Sequence, residues 1–223
     1  PAMSPGRGAF HSTRWTLVYA AASPNTELAR AAVSDLVETY WYPLYVYARR
    51  AGHDADTARD IVQGFWLSLW ERDDLRAVSP ERGRFRSFLL AALKHYISNR
   101  RAHERAQKRG GGVAPVPLEL DEAETRFRAE PADGETPESA FERQWALELL
   151  AQVFAEIRVE WDARGKAAEF DRLKPLLLDE AAPGGFAAAA RELGTTDTAL
   201  RMAATRLRQR FRQVLRETIA ETT

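Results

Sequence analysis

Cationic side chains crowd into two short stretches of this 223-residue chain. Residues 94–109 carry Lys94, Arg100, Arg101, Arg105, Lys108 and Arg109 against one acid, Glu104, with His95 and His103 beside them. Residues 201–216 carry Arg201, Arg206, Arg208, Arg210, Arg212 and Arg216 and no acid. The chemistry such clusters suit is neutralisation of a polyanion's phosphates. One Arg-rich helix is as often a solvated face. Two, each closing a helical block, favour a polyanion such as DNA. The overall balance of 32 basic to 32 acidic residues excludes a uniformly basic coat but leaves room for local patches.

No catalytic constellation accompanies these clusters. The four histidines (His11, His53, His95 and His103) are scattered, and none forms an HExxH site. Gly110–Gly112 is no phosphate loop, because no Lys-Ser/Thr follows it and no strand precedes it. There is no GxSxG elbow. The absence of cysteine excludes disulfides, thiol nucleophiles and thiolate zinc sites, and suits a reducing cytosol. The expectation is therefore no enzyme, no metal and no cofactor. The longest apolar run, Tyr40–Ala48, contains Pro43 and falls far short of the roughly 20 residues of a membrane span, so no membrane partner and a cytoplasmic location are expected. Pro1-Ala2 ahead of Met3 reads as an expression remnant, and no basic-then-apolar leader opens the chain.

The elements that must position the cations are helices. Val33, Leu36, Val37, Tyr40, Trp41 and Leu44 recur at helical spacing, with Pro43 expected to kink the helix. Ala58, Ile61, Val62, Phe65 and Leu69 form a second stripe, with Asp54 or Asp56 as N-cap. Phe85, Phe88, Leu89, Ala92 and Tyr96 form a third. After a break, Ala146, Leu149, Leu150, Val153 and Ile157 form a fourth, and Phe170, Leu173 and Leu177 a fifth, disturbed by Pro175. No alternating strand pattern stands out, and the fold class expected is all-α.

The break falls at residues 110–138. They open with three glycines, carry four prolines, and set eight acids against Arg126 and Arg128. Such a segment buries too little to fold alone and reads as an acidic flexible linker. The expected organisation is a helical domain at 12–109, the linker at 110–138, and a second helical domain at 139–223.

The second domain ends in a helix-turn-helix pattern. A short Ala-rich helix at 186–193 permits close packing, and Gly194 sits where the chain must turn through positive φ. Thr196 or Asp197 caps the next helix. Leu200, Ala204, Leu207, Phe211 and Leu215 form its buried stripe, leaving Arg201, Thr205, Arg208 and Arg212 on another face. A recognition helix in a major groove would present that face.

Taken together, these segments resemble an RNA polymerase sigma factor of the extracytoplasmic-function group. Tyr40-Trp-Tyr-Pro-Leu-Tyr-Val-Tyr-Ala-Arg-Arg with Gly52-His53-Asp54 resembles the family's first conserved helix, and Asp60-Ile-Val-Gln63-Gly-Phe-Trp its polymerase-binding helix. The stretch from Pro80 through Phe85, Lys94, His95 and Asn99 to Arg109 resembles the part that melts and reads the −10 element. The resemblance implies core RNA polymerase and promoter DNA as partners. Asp60, Gln63 and Thr57 would face polymerase. Arg84, Phe85, Lys94, His95, Asn99, Arg100, Arg105, Lys108 and Arg109 would face the −10 strand. Thr196, Thr198, Arg201, Thr205, Arg206 and Arg208 would face the −35 duplex. At helical spacing Phe85 and Phe88 also suit the core. A stand-alone helix-turn-helix regulator is the alternative.

The polymerase-binding helix departs from the family's Asp-Ala-Glu-Asp-Leu-Val-Gln-Glu. Thr57, Arg59 and Gly64 stand where acids are usual. Losing three acids should weaken docking on a basic clamp helix. Thr57, Asp60 and Gly64 share one helix face, and a phosphate on Thr57 would restore negative charge there. Some sigma factors resembling this one are paired with a Ser/Thr kinase, which would then be a further partner. The alternative is that Thr57 only supports the helix start.

Overall fold

The structure, a computed structural model, describes residues 14–23, 26–71, 75, 78–79, 81, 83–106, 120–130, 134–178 and 185–220. Lys108, Arg109 and linker residues 110–119 lie outside them, as does the side chain of Arg105. The described residues contain helices and no strand, as expected for an all-α chain. The chain divides into two compact units, residues 1–146 with 221–223, and residues 147–220.

The first unit is built on α1 (Arg14–Ala21), α2 (Thr26–Arg50), α3 (Ala55–Glu71) and α4 (Phe85–Ala106). Leu36, Tyr40 and Leu44 of α2 are buried, as are Ile61, Val62, Phe65 and Leu69 of α3 and Phe85, Leu89 and Leu93 of α4. The stripe positions of the sequence thus form the core, while Val33, Val37, Phe88, Ala92 and Tyr96 are half-buried. α2 continues through Pro43. Asp54, not Asp56, caps α3: its carboxylate accepts the Thr57 N–H at 2.9 Å. Gly64 has a packing reason for lacking a side chain, because a β-carbon there would run into the Tyr96 hydroxyl of α4.

The acidic segment departs from the expected linker. Residues 120–129 form helix α5 (Leu120–Ala129), and α6 (Pro137–Asp162) begins before the segment ends. The physical reason lies in α2. Trp41–Ala48 are buried without interruption, which one packed face of a helix cannot achieve. α5 supplies a second cover: Phe127 meets the Tyr45 ring edge-on at 6.4 Å, and Tyr45 donates to Glu124 at 2.6 Å. The start of α6 also groups with this unit, since Arg86 of α4 stacks on Trp145 at 4.0 Å and pairs with Glu142 at 2.9 Å. The division between units therefore falls after Ala146, inside α6, rather than at residue 138.

The second unit contains the rest of α6, then α7 (Ala167–Leu178), α8 (Gly185–Glu192) and α9 (Asp197–Ala220). Its core joins Leu149, Val153, Phe154, Ile157 and Trp161 of α6 to Phe170, Leu173 and Leu176 of α7. Phe186, Ala189 and Ala190 of α8 and Leu200, Ala203, Ala204, Leu207 and Val214 of α9 complete it. The alanines leave no bulk between α8 and α9. Between these helices Gly194 takes φ +64°, and Thr195 N–H reaches back to the Ala190 carbonyl at 2.9 Å, closing α8.

Candidate nucleic-acid and polymerase interfaces

At the start of α3 the Thr57 hydroxyl donates to Asp54 at 2.8 Å, so both polar groups of Thr57 meet the cap. The Thr57 N–H, with its hydroxyl second, holds the Asp54 carboxyl below its ordinary value. Asp60 is exposed but not alone: Arg59 lies 3.7 Å from it and 3.3 Å from Asp56. Gln63 is half-buried one turn further on. One helix face thus brings Thr57, Asp60 and Gly64 together, with the Arg59 cation against its carboxylates.

The residues expected to face the −10 strand separate into groups. Phe85 is a correction. It is 2 % exposed, edge-on to Tyr40 at 5.5 Å and to Trp15 at 6.3 Å, so it belongs to the core and cannot meet a base. Arg84, Lys94 and His95 are exposed, while Asn99 and Arg100 are half-buried. Asn99 and His95 are in hydrogen-bond contact at 2.9 Å. Lys94 is ion-paired with Glu138 at 2.5 Å, which holds the ammonium pKa up and the carboxyl pKa down.

The sequence reading missed a third group on α2 and α5. Arg49 grips Glu124 through two nitrogens, at 2.9 and 3.1 Å. Arg128 of α5 also donates to Glu124 at 3.1 Å. Burial pushes the Glu124 carboxyl up, but the hydrogen bonds from Tyr45 and Arg49 outweigh it and leave the group below its ordinary 4.5. Burial, then the Glu124 bond, pushes the Tyr45 phenol strongly up. The guanidiniums of Arg49 and Arg50 lie over the Phe127 ring at 4.7 and 5.0 Å, and Arg126 lies over Tyr42 at 3.8 Å. Tyr42 donates to Glu130, which Arg143 also reaches at 3.1 Å.

On α9, Thr196 is the cap, accepting the Ala199 N–H at 3.1 Å. Thr198 and Thr205 are exposed, and Thr205 donates back to the Arg201 carbonyl at 3.0 Å. Arg201 is exposed but held, paired with Asp197 at 2.6 Å and lying 4.7 Å over the Phe186 ring. Arg208 is half-buried. Arg206 lines an open cavity of about 500 Å³ with Trp161, Arg164, Lys166, Arg210 and Glu160. It therefore lies toward α6, apart from the helix row of Arg201, Thr205 and Arg212. Arg210 pairs bidentately with Glu160, closest at the guanidinium Nη2.

No protein-family model, no curated protein and no solved structure matches this chain.

Two signals in the sequence could have exposed the α2–α5 group. The first is Tyr40–Ala48, a nine-residue run too apolar all round to have one covered face. The second is Phe127, an aromatic residue within a segment otherwise read as solvated.

Proposed function

We propose that the chain is an alternative sigma factor, which binds core RNA polymerase and directs it to particular promoters. The observation that carries this reading is the ordered set of segments along one chain. A polymerase-helix motif on α3 is followed by a cationic α4 and then by an α8–turn–α9 pair with an arginine row. In this reading Asp60 and Gln63 dock on polymerase. Arg84, Lys94, His95, Asn99 and Arg100 meet the −10 strand, with Arg105, Lys108 and Arg109 continuing the cationic run. Thr198, Arg201, Thr205 and Arg208 meet the −35 duplex, Thr196 sets the start of α9, and Arg206 serves a flanking phosphate.

Thr57 is the proposed switch. Its hydroxyl is bound by Asp54, so phosphorylation by a Ser/Thr kinase would break that bond and place about −1.5 to −2 of charge in the first turn of α3. The new charge would offset Arg59 on the docking face and restore attraction to a basic partner.

Co-elution with core RNA polymerase tests the reading, using wild type, Thr57→Glu and kinase-treated protein side by side. Binding by the charged forms alone supports both the sigma assignment and the switch. Equal binding by all three keeps the assignment and removes the switch. No binding by any form, together with specific duplex binding by the protein alone, moves the assignment to a stand-alone helix-turn-helix regulator.

A further inference from the structure

The part of α2 that meets α5 is a run of rings followed by two cations. Trp41 and Tyr45 stack at 5.2 Å with their planes 12° apart, and Tyr42 lies beside Tyr45 at 6.3 Å and 28°. Arg49 and Arg50 close the row. Stacked rings flanked by cations are the recurring equipment for single-stranded nucleic acid, rings for the bases and cations for the backbone. What lies on this face has matching chemistry. Glu124, Phe127 and Glu130 present a carboxylate, an aryl ring and a second carboxylate. Glu124 takes Arg49 and Tyr45, Phe127 takes the guanidiniums of Arg49 and Arg50, and Glu130 takes Tyr42. A phosphate, a base and the next phosphate would ask for the same partners. A little further along, Glu138 holds Lys94 of α4 in the same way.

We propose that this aromatic and cationic face of α2 is a binding surface for single-stranded DNA, and that α5 with the neighbouring Glu130 is an internal mimic that DNA displaces. The choice of DNA rests on the sigma-factor reading above. The nature of the α5 contact argues for exchange over a permanent wall. α5 has ten residues, below the length at which a helix holds itself in water. Ala123 and Glu124 are the buried members among its described residues, and Phe127 is half-exposed. Among the described residues its hold on α2 consists of ion pairs, hydrogen bonds, cation–ring contacts and the Phe127–Tyr45 ring edge. An incoming polyanion can replace these one for one, whereas it could not replace a buried apolar seam.

The chain has no cysteine, which allows a direct test in the full-length protein. Ala123→Cys places a single thiol beneath α5, where the native side chain is 6 % exposed. Its reaction rate with a disulfide reagent is measured with and without a saturating 20-mer of oligo-dT, whose binding is followed by fluorescence anisotropy. Bound oligo-dT should speed labelling about tenfold, as expected for opening of a covered site. In a second arm Glu124→Gln with Glu130→Gln should tighten oligo-dT binding about tenfold, and Asp35→Asn with Glu38→Gln, an equal change of net charge on the exposed side of α2, should change it much less. Circular dichroism confirms that each variant keeps its helices. A thiol that stays protected while oligo-dT is bound overturns the proposal, as does an equal gain from the two double variants. Failure of oligo-dT to bind any form overturns it too. Duplex DNA that binds and releases the thiol as well as oligo-dT overturns the single-strand assignment. Co-elution with polymerase is read separately, so α5 can fail as a mimic while the sigma reading stands, and the reverse.

Discussion

The two cationic helices, α4 and α9, are treated differently by the chain around them. On α4, Arg86 and Lys94 are each answered by a carboxylate of α6, Glu142 and Glu138, and the neighbouring cations of α2 are answered by α5. On α9, Arg201 and Arg210 are paired, yet Arg206, Arg212 and Arg216 have no side-chain partner among the described residues. Among the described residues, the first unit covers Arg49, Arg86 and Lys94 with its own carboxylates. The second leaves Arg206, Arg212 and Arg216 exposed. A single-stranded ligand must uncover bases and rings together, whereas a duplex offers its phosphates without rearrangement. The difference in cover suits the single-stranded ligand proposed for the first unit and the duplex proposed for the second.

The largest expected effect tests where the first unit's core ends and the proposed binding surface begins. Phe85→Ala removes a ring that touches Trp15, Tyr40 and Phe88, and should cost about 3–5 kcal/mol in urea denaturation. Amide-exchange protection should fall in α2, α3 and α4 and hold in α7–α9. A near-neutral result would return Phe85 to the surface and to the DNA-contact group.

Much of this core was legible before any coordinates. The stripes at Leu36, Tyr40 and Leu44 and at Ile61, Phe65 and Leu69 announce themselves because burial on one side of a helix leaves a 3.6-residue period. The same logic marked Leu200, Ala204 and Leu207. What the period cannot mark is polar burial. Glu124 and Arg86 are charged and buried because each meets a partner far along the chain, at Arg49 and Glu142, and local pattern carries no trace of such pairs. α5 was missed for that reason, since its composition is that of a solvated linker while its partners lie on α2. Gly64 misled in another way. It reads as a lost acid on the proposed docking face, but it also seats Tyr96, so Gly64→Glu would have to move Tyr96 before it could restore the charge.

The next effect is the α5 hold itself. Glu124→Gln keeps the shape and removes the charge that Arg49 and Tyr45 meet, and should cost about 1–3 kcal/mol. Its pH dependence has a definite sign. The Glu124 carboxyl is held below its ordinary 4.5 in the folded chain, so its contribution is complete above that value and is lost as pH falls through the lowered one. Acid should therefore loosen α5, read as faster labelling of the position-123 thiol with an acid-tolerant reagent. The Glu124→Gln variant should lose most of that acid response. An unchanged response would assign it to other carboxylates.

In the second unit Thr196→Ala removes the oxygen that accepts the Ala199 N–H, at about 1 kcal/mol. Thr196→Ser should restore most of that loss. If Thr196 contacted DNA through its methyl group as well, the serine variant would recover stability without recovering duplex affinity, which separates its two roles.

The smallest effect isolates what burial adds to a charge pair. Arg158 and Asp171 in the second unit form a bidentate pair at 2.9 and 3.0 Å, as close as Arg49 and Glu124 in the first. Geometry alone would rank the two pairs together. Their surroundings differ: side-chain exposure is 50 % for both Arg158 and Asp171, against 18 % for Arg49 and 12 % for Glu124. Water and salt screen the exposed pair, and the entropy of pinning two long side chains offsets most of what remains. The shielded pair keeps more of its attraction, and breaking it strands a charge that solvent reaches poorly. Asp171→Asn should thus shift the urea midpoint less than Thr196→Ala does, and 1 M salt should erase the shift. Glu124→Gln should stay costly in the same salt. Equal costs for the two substitutions would mean that bond geometry, not cover, sets the strength of these pairs, and the contrast between the covered and open cationic surfaces would lose its energetic basis.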